Sequence, residues 1–332
     1  MRALIITEGG KDIGFGHITR CLSLCQAFCK KGIFPKLIVN ADGWAKDLLR
    51  GTDHCVFDWL KERDRVFKLI EKANVAVVDS YLADKEFYRK LAASIGLAVY
   101  FDDNQRIIYP GGVVINGAVY AEKLDYPKKR DIAYLLGAKY VPLRREFWKV
   151  GSKKPGVKIK NLLITFGGAD KENVASKILG SLSAVFPDIK KSIIIPKGSG
   201  KPKFCDNGVG RNVRFICSPD VRRLRQAMIE TDIAISSCGQ TLYELASLGV
   251  PTVGIAVAKN QLNNALSWQK AGFIDYVGWW ADVDLFDNIM RSIERLKDKK
   301  VRIRKSKIGR KVVDGRGAER IVDFLINKKA VI

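Results

Sequence analysis

Short apolar runs, each followed by a stretch with helical spacing, recur along this chain and restrict it to an α/β fold. Residues 3–6, 35–39, 73–78, 97–101 and 112–115 are strand-like, and 18–31, 59–71 and 84–94 carry amphipathic helical patterns between them. Strand, helix and strand in alternation build a parallel sheet covered on both faces. The polar, breaker-rich stretch Val150-Gly151-Ser152-Lys153-Lys154-Pro155-Gly156 interrupts the pattern as a linker. Beyond it the alternation restarts, with strands at 162–166, 192–195, 213–216, 233–236 and 252–257 and helices at 172–185, 220–230, 242–248 and 262–271. A chain of 332 residues is long for one core and comfortable for two domains. The fold class expected is α/β, with two Rossmann-like domains facing across a cleft, residues 1–149 and 157–316. A C-terminal helix within 317–332 is expected to pack back toward the first domain. Ligands of such sheets bind beyond the carboxyl ends of the strands, so the motifs there matter most.

Composition narrows the class further. Apolar content of 47% with 28% charged residues describes a globular chain. No apolar run approaches the ~18 residues of a membrane helix. The opening Met1-Arg2-Ala3-Leu4-Ile5-Ile6-Thr7-Glu8 reaches an acid too early for a secretory segment. Seven cysteines, an odd number without a Cys-x-x-Cys pair, agree with a cytoplasmic setting. Cys21, Cys25 and Cys29 fall on one helical face, as packed small hydrophobes rather than a metal cluster. The net charge of +23 is concentrated in part at residues 296–311, where nine basic residues accompany one acid, Asp298. Nucleic acid is ranked low as a partner, because no nucleic-acid module or stacking motif accompanies the run. A solvated helical face, a peripheral contact with anionic lipid and long-range steering of an anionic small molecule stay open.

The most informative segment is Asp12-Ile13-Gly14-Phe15-Gly16-His17-Ile18-Thr19-Arg20. A strand feeds a loop with Gly14 and Gly16, and His17, one of two histidines, opens the helix that follows. Such a terminus offers backbone N–H groups and a positive dipole end to an anion, with a titratable base beside them. The same dipole disfavours imidazolium, so His17 is expected to stay neutral. The full dinucleotide fingerprint would need a third glycine where Thr19 stands, and a helix-capping histidine in a tight turn is the plain alternative. In the second half, Phe166-Gly167-Gly168-Ala169-Asp170 and Ser236-Ser237-Cys238-Gly239-Gln240-Thr241-Leu242-Tyr243-Glu244 each join a strand to a helix. Small hydroxyl and glycine residues at a helix start, here Ser237, Gly239 and Thr241, suit a phosphate group, and Glu244, one turn in, suits ribose hydroxyls. No Gly-Lys-Ser/Thr follows either loop, so kinase or ATPase chemistry is set aside.

With these loops in place the chain resembles the nucleotide-sugar hydrolases of pseudaminic acid biosynthesis (PseG), which are similar in fold to the GT-B glycosyltransferases, MurG among them. The matching segments, in chain order, start with 13–20, with its Gly-His-x-x-Arg element, followed by Val78-Asp79-Ser80-Tyr81 and Phe101-Asp102-Asp103. Leu143-Arg144-Arg145-Glu146-Phe147, Gly167-Gly168-Ala169-Asp170 and Asn260-Gln261 continue the series. Asp314-Gly315-Arg316-Gly317-Ala318-Glu319-Arg320 resembles the related spore-coat polysaccharide (SpsG) proteins. The resemblance implies hydrolysis of a UDP-linked 2,4-diacetamido-2,4,6-trideoxyhexose to free sugar and UDP, by inverting attack of water, with neither metal nor cofactor. It makes His17 the general base, places Tyr81 and Asn260 at the sugar and water site, and puts Gly14, Gly16 and Arg20 against substrate. Gly167, Gly168, Ser237, Gly239, Thr241, Glu244 and Gln261 would hold the nucleotide. Ser80 replaces a histidine that commonly follows the strand-end acid, which opens the identity of the sugar. Asp102 and Asp103 point to opposite sides as neighbours at a strand end, and are read as hydrogen-bonding rather than metal-binding. His54, beside Asp53, is read as structural. A GT-B glycosyltransferase and a non-catalytic nucleotide-sugar or nucleic-acid binding protein are the rival functions.

Overall fold

The computed structural model describes residues 1–10, 13–149, 155–167, 174–196 and 212–329. The chain forms two compact units, Met1–Arg145 together with Gly315–Ile332, and Glu146–Asp314. Each is a parallel sheet flanked by helices, so the expected pair of Rossmann-like α/β domains is what forms. Residues 150–154 of the linker reading lie outside the described residues.

The first unit has strands β1 Ala3–Gly9, β2 Lys36–Ala41, β3 His54–Val56, β4 Val75–Asp79, β5 Leu97–Phe101, β6 Gly112–Asn116 and β7 Ile132–Leu136. Their spatial order is β3-β2-β1-β4-β5-β6-β7, all parallel. The segment Val-Ala-Val-Val-Asp of β4 is buried throughout, the near-continuous apolar run that a strand covered on both faces requires. Helices α1 Gly16–Lys30, α2 Arg63–Ile70 and α3 Lys85–Ser94 cover the sheet. Trp59, fully buried, donates its indole N–H to the Thr7 carbonyl at 2.8 Å and packs on Phe87. Asp84 caps α3 by accepting from the Phe87 amide at 2.7 Å. The C-terminal helix α10, Gly317–Lys329, lies in this unit against α1. Lys31 pairs with Asp323 at 2.5 Å, Lys30 pairs with Glu319, and Arg320 donates to the Lys139 carbonyl. Gly317 starts α10 because a Cβ there would stand 2.1 Å from the Val141 carbonyl oxygen.

The second unit repeats the plan with β8 Asn161–Thr165, β9 Lys190–Ile195, β10 Val213–Cys217, β11 Ile233–Ser237, β12 Thr252–Ala256 and β13 Ile274–Trp279, in the order β10-β9-β8-β11-β12-β13. Its helices are α4 Val174–Val185, α5 Val221–Glu230, α6 Gln240–Leu248, α7 Leu262–Ala271, α8 Leu285–Leu296 and α9 Lys299–Val312. One core packs Ile164, Ile178, Ile235, Val253, Ile289 and Ile293 between the sheet and α4 and α8. The strands β7 and β13 and the helix α8 go beyond the sequence reading. Both strands lie at a sheet edge, where burial is partial and the apolar pattern is broken. No helix among the described residues is long and apolar enough to cross a membrane.

The basic run at 296–311 proves to be partly an interior feature. It forms most of α9, whose inner face carries Arg302, Lys305, Ser306 and Gly309. Arg302, fully buried, donates to the carbonyls of Leu296 and Lys297 at 2.5 and 2.9 Å, which end α8, and to those of Gly156 and Val157 at 2.6 and 3.0 Å. Lys305 reaches Asp275 of β13 at 2.6 Å, where Ser292 and Arg295 of α8 also converge. Replacing Arg302 by methionine keeps volume but leaves four carbonyls without their donor. We predict a loss of about 3 kcal/mol, a melting midpoint lower by roughly 6–12 °C. An unchanged midpoint in calorimetry would refute this reading of α9.

Candidate functional site

In a sheet ordered β3-β2-β1-β4-β5, the chain leaves β1 and β4 toward opposite sides, and the gap beyond their carboxyl ends is the place for a ligand. That gap gathers the first cluster of candidate residues. α1 begins directly after the β1 loop and brings His17, Arg20 and Cys21 onto one face; β4 ends at Asp79, followed by Ser80 and Tyr81; Asp103 follows β5. Gly14, at φ 83°, closes the loop by exchanging hydrogen bonds with Gly10 at 2.7 and 3.1 Å, and Gly16 opens the helix. Asp12 of the motif lies outside the described residues.

Asp79 holds the centre. Its carboxylate is buried and meets His17 Nδ1 at 2.6 Å, Arg20 Nε and Nη2 at 2.7 and 2.6 Å, and the Cys21 thiol at 3.7 Å. Burial pushes its pKa up, but the Arg20 charge, the His17 charge and their hydrogen bonds overcome this and hold it well below the carboxylate range. Asp79 is therefore ionised, and the His17 Nδ1–H donates to it. In the neutral ring this tautomer leaves the lone pair on Nε2.

The expectation of a neutral-leaning His17 is corrected by its surroundings. Burial lowers the pKa of the ring, yet the charge and hydrogen bond of Asp79 outweigh it, and the net displacement is upward from about 6.5. With Arg20 cationic and Asp79 and Asp103 anionic, the cluster carries net charge −1 when His17 is neutral and zero when it is protonated. Two carboxylates at close range exceed the partial charge of a helix terminus.

Arg20, expected against substrate, also has partners within the chain. Its guanidinium fork is spent on carboxylates, with Nη1 and Nη2 at 2.6 and 3.1 Å from Asp103 in addition to the Asp79 contacts. It lies over the Phe101 ring, 4.7 Å from the centroid. Tyr81 meets His17 edge to face, with ring centroids 4.5 Å apart. Ser80 turns inward and is buried, with its hydroxyl on Glu8. Asp102 and Asp103 take different partners. Asp102 accepts from Tyr126 and the amides of Asn104 and Arg106, whereas Asp103 accepts from Arg20 and Tyr81. His54 bonds to the Thr52 carbonyl.

The second cluster lies in the other unit at the equivalent gap between β8 and β11. Ser237 ends β11, Gly239 precedes α6 and Thr241 lies in its first turn. Gly167, at φ 69°, comes within van der Waals reach of Thr241, since a Cβ there would lie 3.6 Å from its Oγ1. A Cβ on Gly239 would lie 3.6 Å from Gln261 Nε2, and Gln261 Oε1 accepts from the Val257 amide at 3.1 Å. Asn264 ties the turn down, accepting from the Tyr243 hydroxyl at 2.6 Å and donating to the Cys238 carbonyl at 2.7 Å. Glu244 is buried on α6, and Asn260 is exposed on a 3-10 turn at Lys259–Gln261. Gly168 lies outside the described residues. The candidate residues thus divide into two groups, His17, Tyr81, Gly14, Gly16 and Arg20 in one unit and Gly167, Ser237, Gly239, Thr241, Glu244, Asn260 and Gln261 in the other.

Sequence reasoning gave no role to Asp79 or Glu8 as individual residues, and read Asp103 as hydrogen-bonding without naming its partners, Arg20 and Tyr81. Their shared signal is an acid at or just past the end of an apolar strand. No group of three or more His, Cys, Asp or Glu among the described residues is arranged to hold a metal ion.

The charge arrangement has a direct spectroscopic consequence. In an NMR titration the His17 ring should protonate at a pH above that of a free imidazole, and Asp79→Asn should bring the midpoint down, because the raising charge is gone. A midpoint unmoved by Asp79→Asn would show that the pair does not govern His17.

No family model matches this chain. It is 23% identical to the spore coat polysaccharide biosynthesis protein SpsG of Bacillus subtilis, over 98% of both chains. It is 24% identical to the UDP-2,4-diacetamido-2,4,6-trideoxy-beta-L-altropyranose hydrolase of Campylobacter jejuni, over 82% of this chain and 98% of that one. An uncharacterised protein of Methanocaldococcus jannaschii is 26% identical over 76% of this chain, and there the match spans only about half of the relative's length, 55%. Among solved structures, MurG of Acinetobacter baumannii superposes with a TM-score of 0.68 at 13% identity, covering 98% of this chain and all of that one. The calicheamicin glycosyltransferase CalG4 gives 0.65 at 13% identity, covering 98% and 97%. The chain therefore has a GT-B-like fold, and its relatives at low identity include the PseG-type UDP-sugar hydrolase and SpsG.

Proposed function

We propose that the protein hydrolyses a UDP-linked 2,4-diacetamido-2,4,6-trideoxyhexose to the free sugar and UDP. The observation that carries this reading is the 2.6 Å contact of His17 Nδ1 with the buried Asp79 carboxylate at the switch point of the first sheet. A histidine oriented by a carboxylate, with its second nitrogen left as acceptor, is built to take a proton from a nucleophile. In the proposed reaction water attacks the anomeric carbon, His17 Nε2 receives its proton, and the C–O bond to UDP breaks with inversion, since a single displacement has no covalent intermediate. UDP is a good leaving group, so positioning water and accepting its proton are the tasks left to the chain. Tyr81 lies beside the base, and Asn260 is carried over from the resemblance as a further contact to sugar or water. The nucleotide is assigned to the second unit, with phosphates at Gly167, Gly168, Ser237, Gly239 and Thr241, ribose at Glu244 and uridine contacts including Gln261. Helix N-termini and backbone amides can neutralise the diphosphate there.

The solved structures of similar fold include glycosyltransferases, which favours a second reading, transfer of the sugar to an acceptor other than water. UDP release from UDP-sugars without any acceptor separates the two. The hydrolase reading expects stoichiometric UDP and a free sugar of inverted anomeric configuration, and no UDP without acceptor would leave the transferase.

Two substitutions test the assignments. His17→Leu should lower kcat by roughly 10²–10⁴-fold while UDP affinity stays nearly intact, because UDP is assigned to the other unit. A fully active variant would reduce the His17 loop to a structural turn. Glu244→Ala should weaken UDP binding by about 1–3 kcal/mol, the scale of hydrogen bonds to a charged group. Unchanged affinity by titration calorimetry in a folded variant would remove Glu244 from the ribose site.

A further inference from the structure

Tyr81 is 38% exposed, yet it is anchored from two directions. Its hydroxyl lies 2.6 Å from Asp103 Oδ2. Its backbone N–H donates to Glu8 Oε1 at 2.7 Å, and the Leu82 amide donates to the same oxygen at 3.1 Å. Glu8 is fully buried on β1, and its second oxygen takes the Ser80 hydroxyl at 2.5 Å. Ser80 Oγ in turn accepts from the amides of Leu82 and Ala83 at 3.0 and 2.9 Å, so the whole turn after β4 is tied to one carboxylate. Asp103 is held as firmly. Beyond the Arg20 fork on its side chain, its backbone carbonyl accepts from the Tyr120 hydroxyl at 2.9 Å and from Asn116 Nδ2 at 3.2 Å.

We propose that Asp103 and Glu8 are positioning residues that present Tyr81 to the substrate as a hydrogen-bond acceptor, Asp103 by holding the phenol proton and Glu8 by holding the turn that carries the ring. This deepens the hydrolase reading and rests on it. A carboxylate clamped by a guanidinium fork has no proton to give, so the hydrogen in the 2.6 Å contact belongs to the phenol. With its one hydrogen committed, Tyr81 Oη offers only lone pairs to whatever stands in front of it. Two carboxylates from separate strand ends therefore fix the place and the polarity of one half-exposed side chain. A misplacement of about 1 Å near reacting atoms can lower a rate by about 10²-fold, which gives such anchoring its value.

The test uses a readout that does not depend on turnover. Tyr81 and His17 meet edge to face at 4.5 Å, and the chain has two histidines, so the His17 C–H resonances report the Tyr81 ring current in a spectrum of few signals. Those resonances, with kcat and KM for UDP release, are recorded for the wild type, Y81F, Y81A, D103N, E8Q and the Y81F/D103N double variant. E8Q should move the His17 shifts toward those of Y81A, and Y81F and D103N should move them alike, because each removes the phenol–carboxylate contact that holds the ring. Y81F and D103N should each lower kcat by about 10²-fold, and the double variant should fall no further, because both remove the same phenol–carboxylate contact. Losses that multiply in the double variant, or His17 shifts unmoved in D103N and E8Q, overturn the proposal. If E8Q does not fold, S80A removes one Glu8 bond more gently and should shift His17 in the same direction. A wild type that releases no UDP would sink the hydrolase reading, while the His17 shifts would still decide whether Asp103 and Glu8 hold Tyr81.

Discussion

A buried carboxylate is tolerated only if its oxygens are fully used, and Asp79 meets that condition by drawing three elements together. Its oxygens take the His17 imidazole, two nitrogens of Arg20 and the Cys21 thiol, so α1 is docked onto the end of β4 through charge as well as through packing. Arg20 then carries the connection on to Asp103 beyond β5. Removing Asp79 would leave a buried guanidinium and an imidazole without their shared acceptor, which is why the ring orientation, the tautomer and the upward pKa of His17 all trace back to this one side chain.

The same rule shapes the second unit. Asp275 is buried on β13 and is satisfied by Lys305 of α9 with Ser292 and Arg295 of α8. Arg302 spends its fork on backbone carbonyls at the end of α8 and at Gly156 and Val157. Part of a run that reads as an electrostatic surface is thus internal cross-linking, and the positive charge of the run overstates what α9 offers to solvent. Lys299, Lys300, Arg304, Lys307 and Lys311 remain on its outer face.

Repetition of one strand order in both sheets explains why the candidate residues fall where they do. In each sheet the first strand of the unit, β1 or β8, lies beside the fourth, β4 or β11, and the loops leaving that pair are free of crossing helices. The Gly14–His17 and Asp79–Tyr81 segments occupy one such place, and Gly167 with Ser237–Thr241 the other. Chemistry differs between them because the residues delivered differ. One receives a titratable base among carboxylates, the other small residues at a helix start.

Much of this was legible in the sequence, because the apolar period of a doubly covered parallel strand is local information. The strands at 97–101 and 252–257, the restart after the first half, and the placing of His17, Tyr81 and the Gly167 and Ser237 loops just past strand ends were all open to reading from the chain. Edge strands such as β7 and β13 were not, since partial burial blurs their pattern. Nor could sequence tell that Ser80 faces Glu8, that Arg20 bridges Asp79 and Asp103, or that Arg302 lies inside. Those outcomes depend on which polar groups meet across 59, 72, 83 or 146 positions of the chain. A helix terminus acts on His17 through its own few residues and can be read from them, but the carboxylates that raise its pKa arrive from β4 and β5, and only the tertiary structure brings them there.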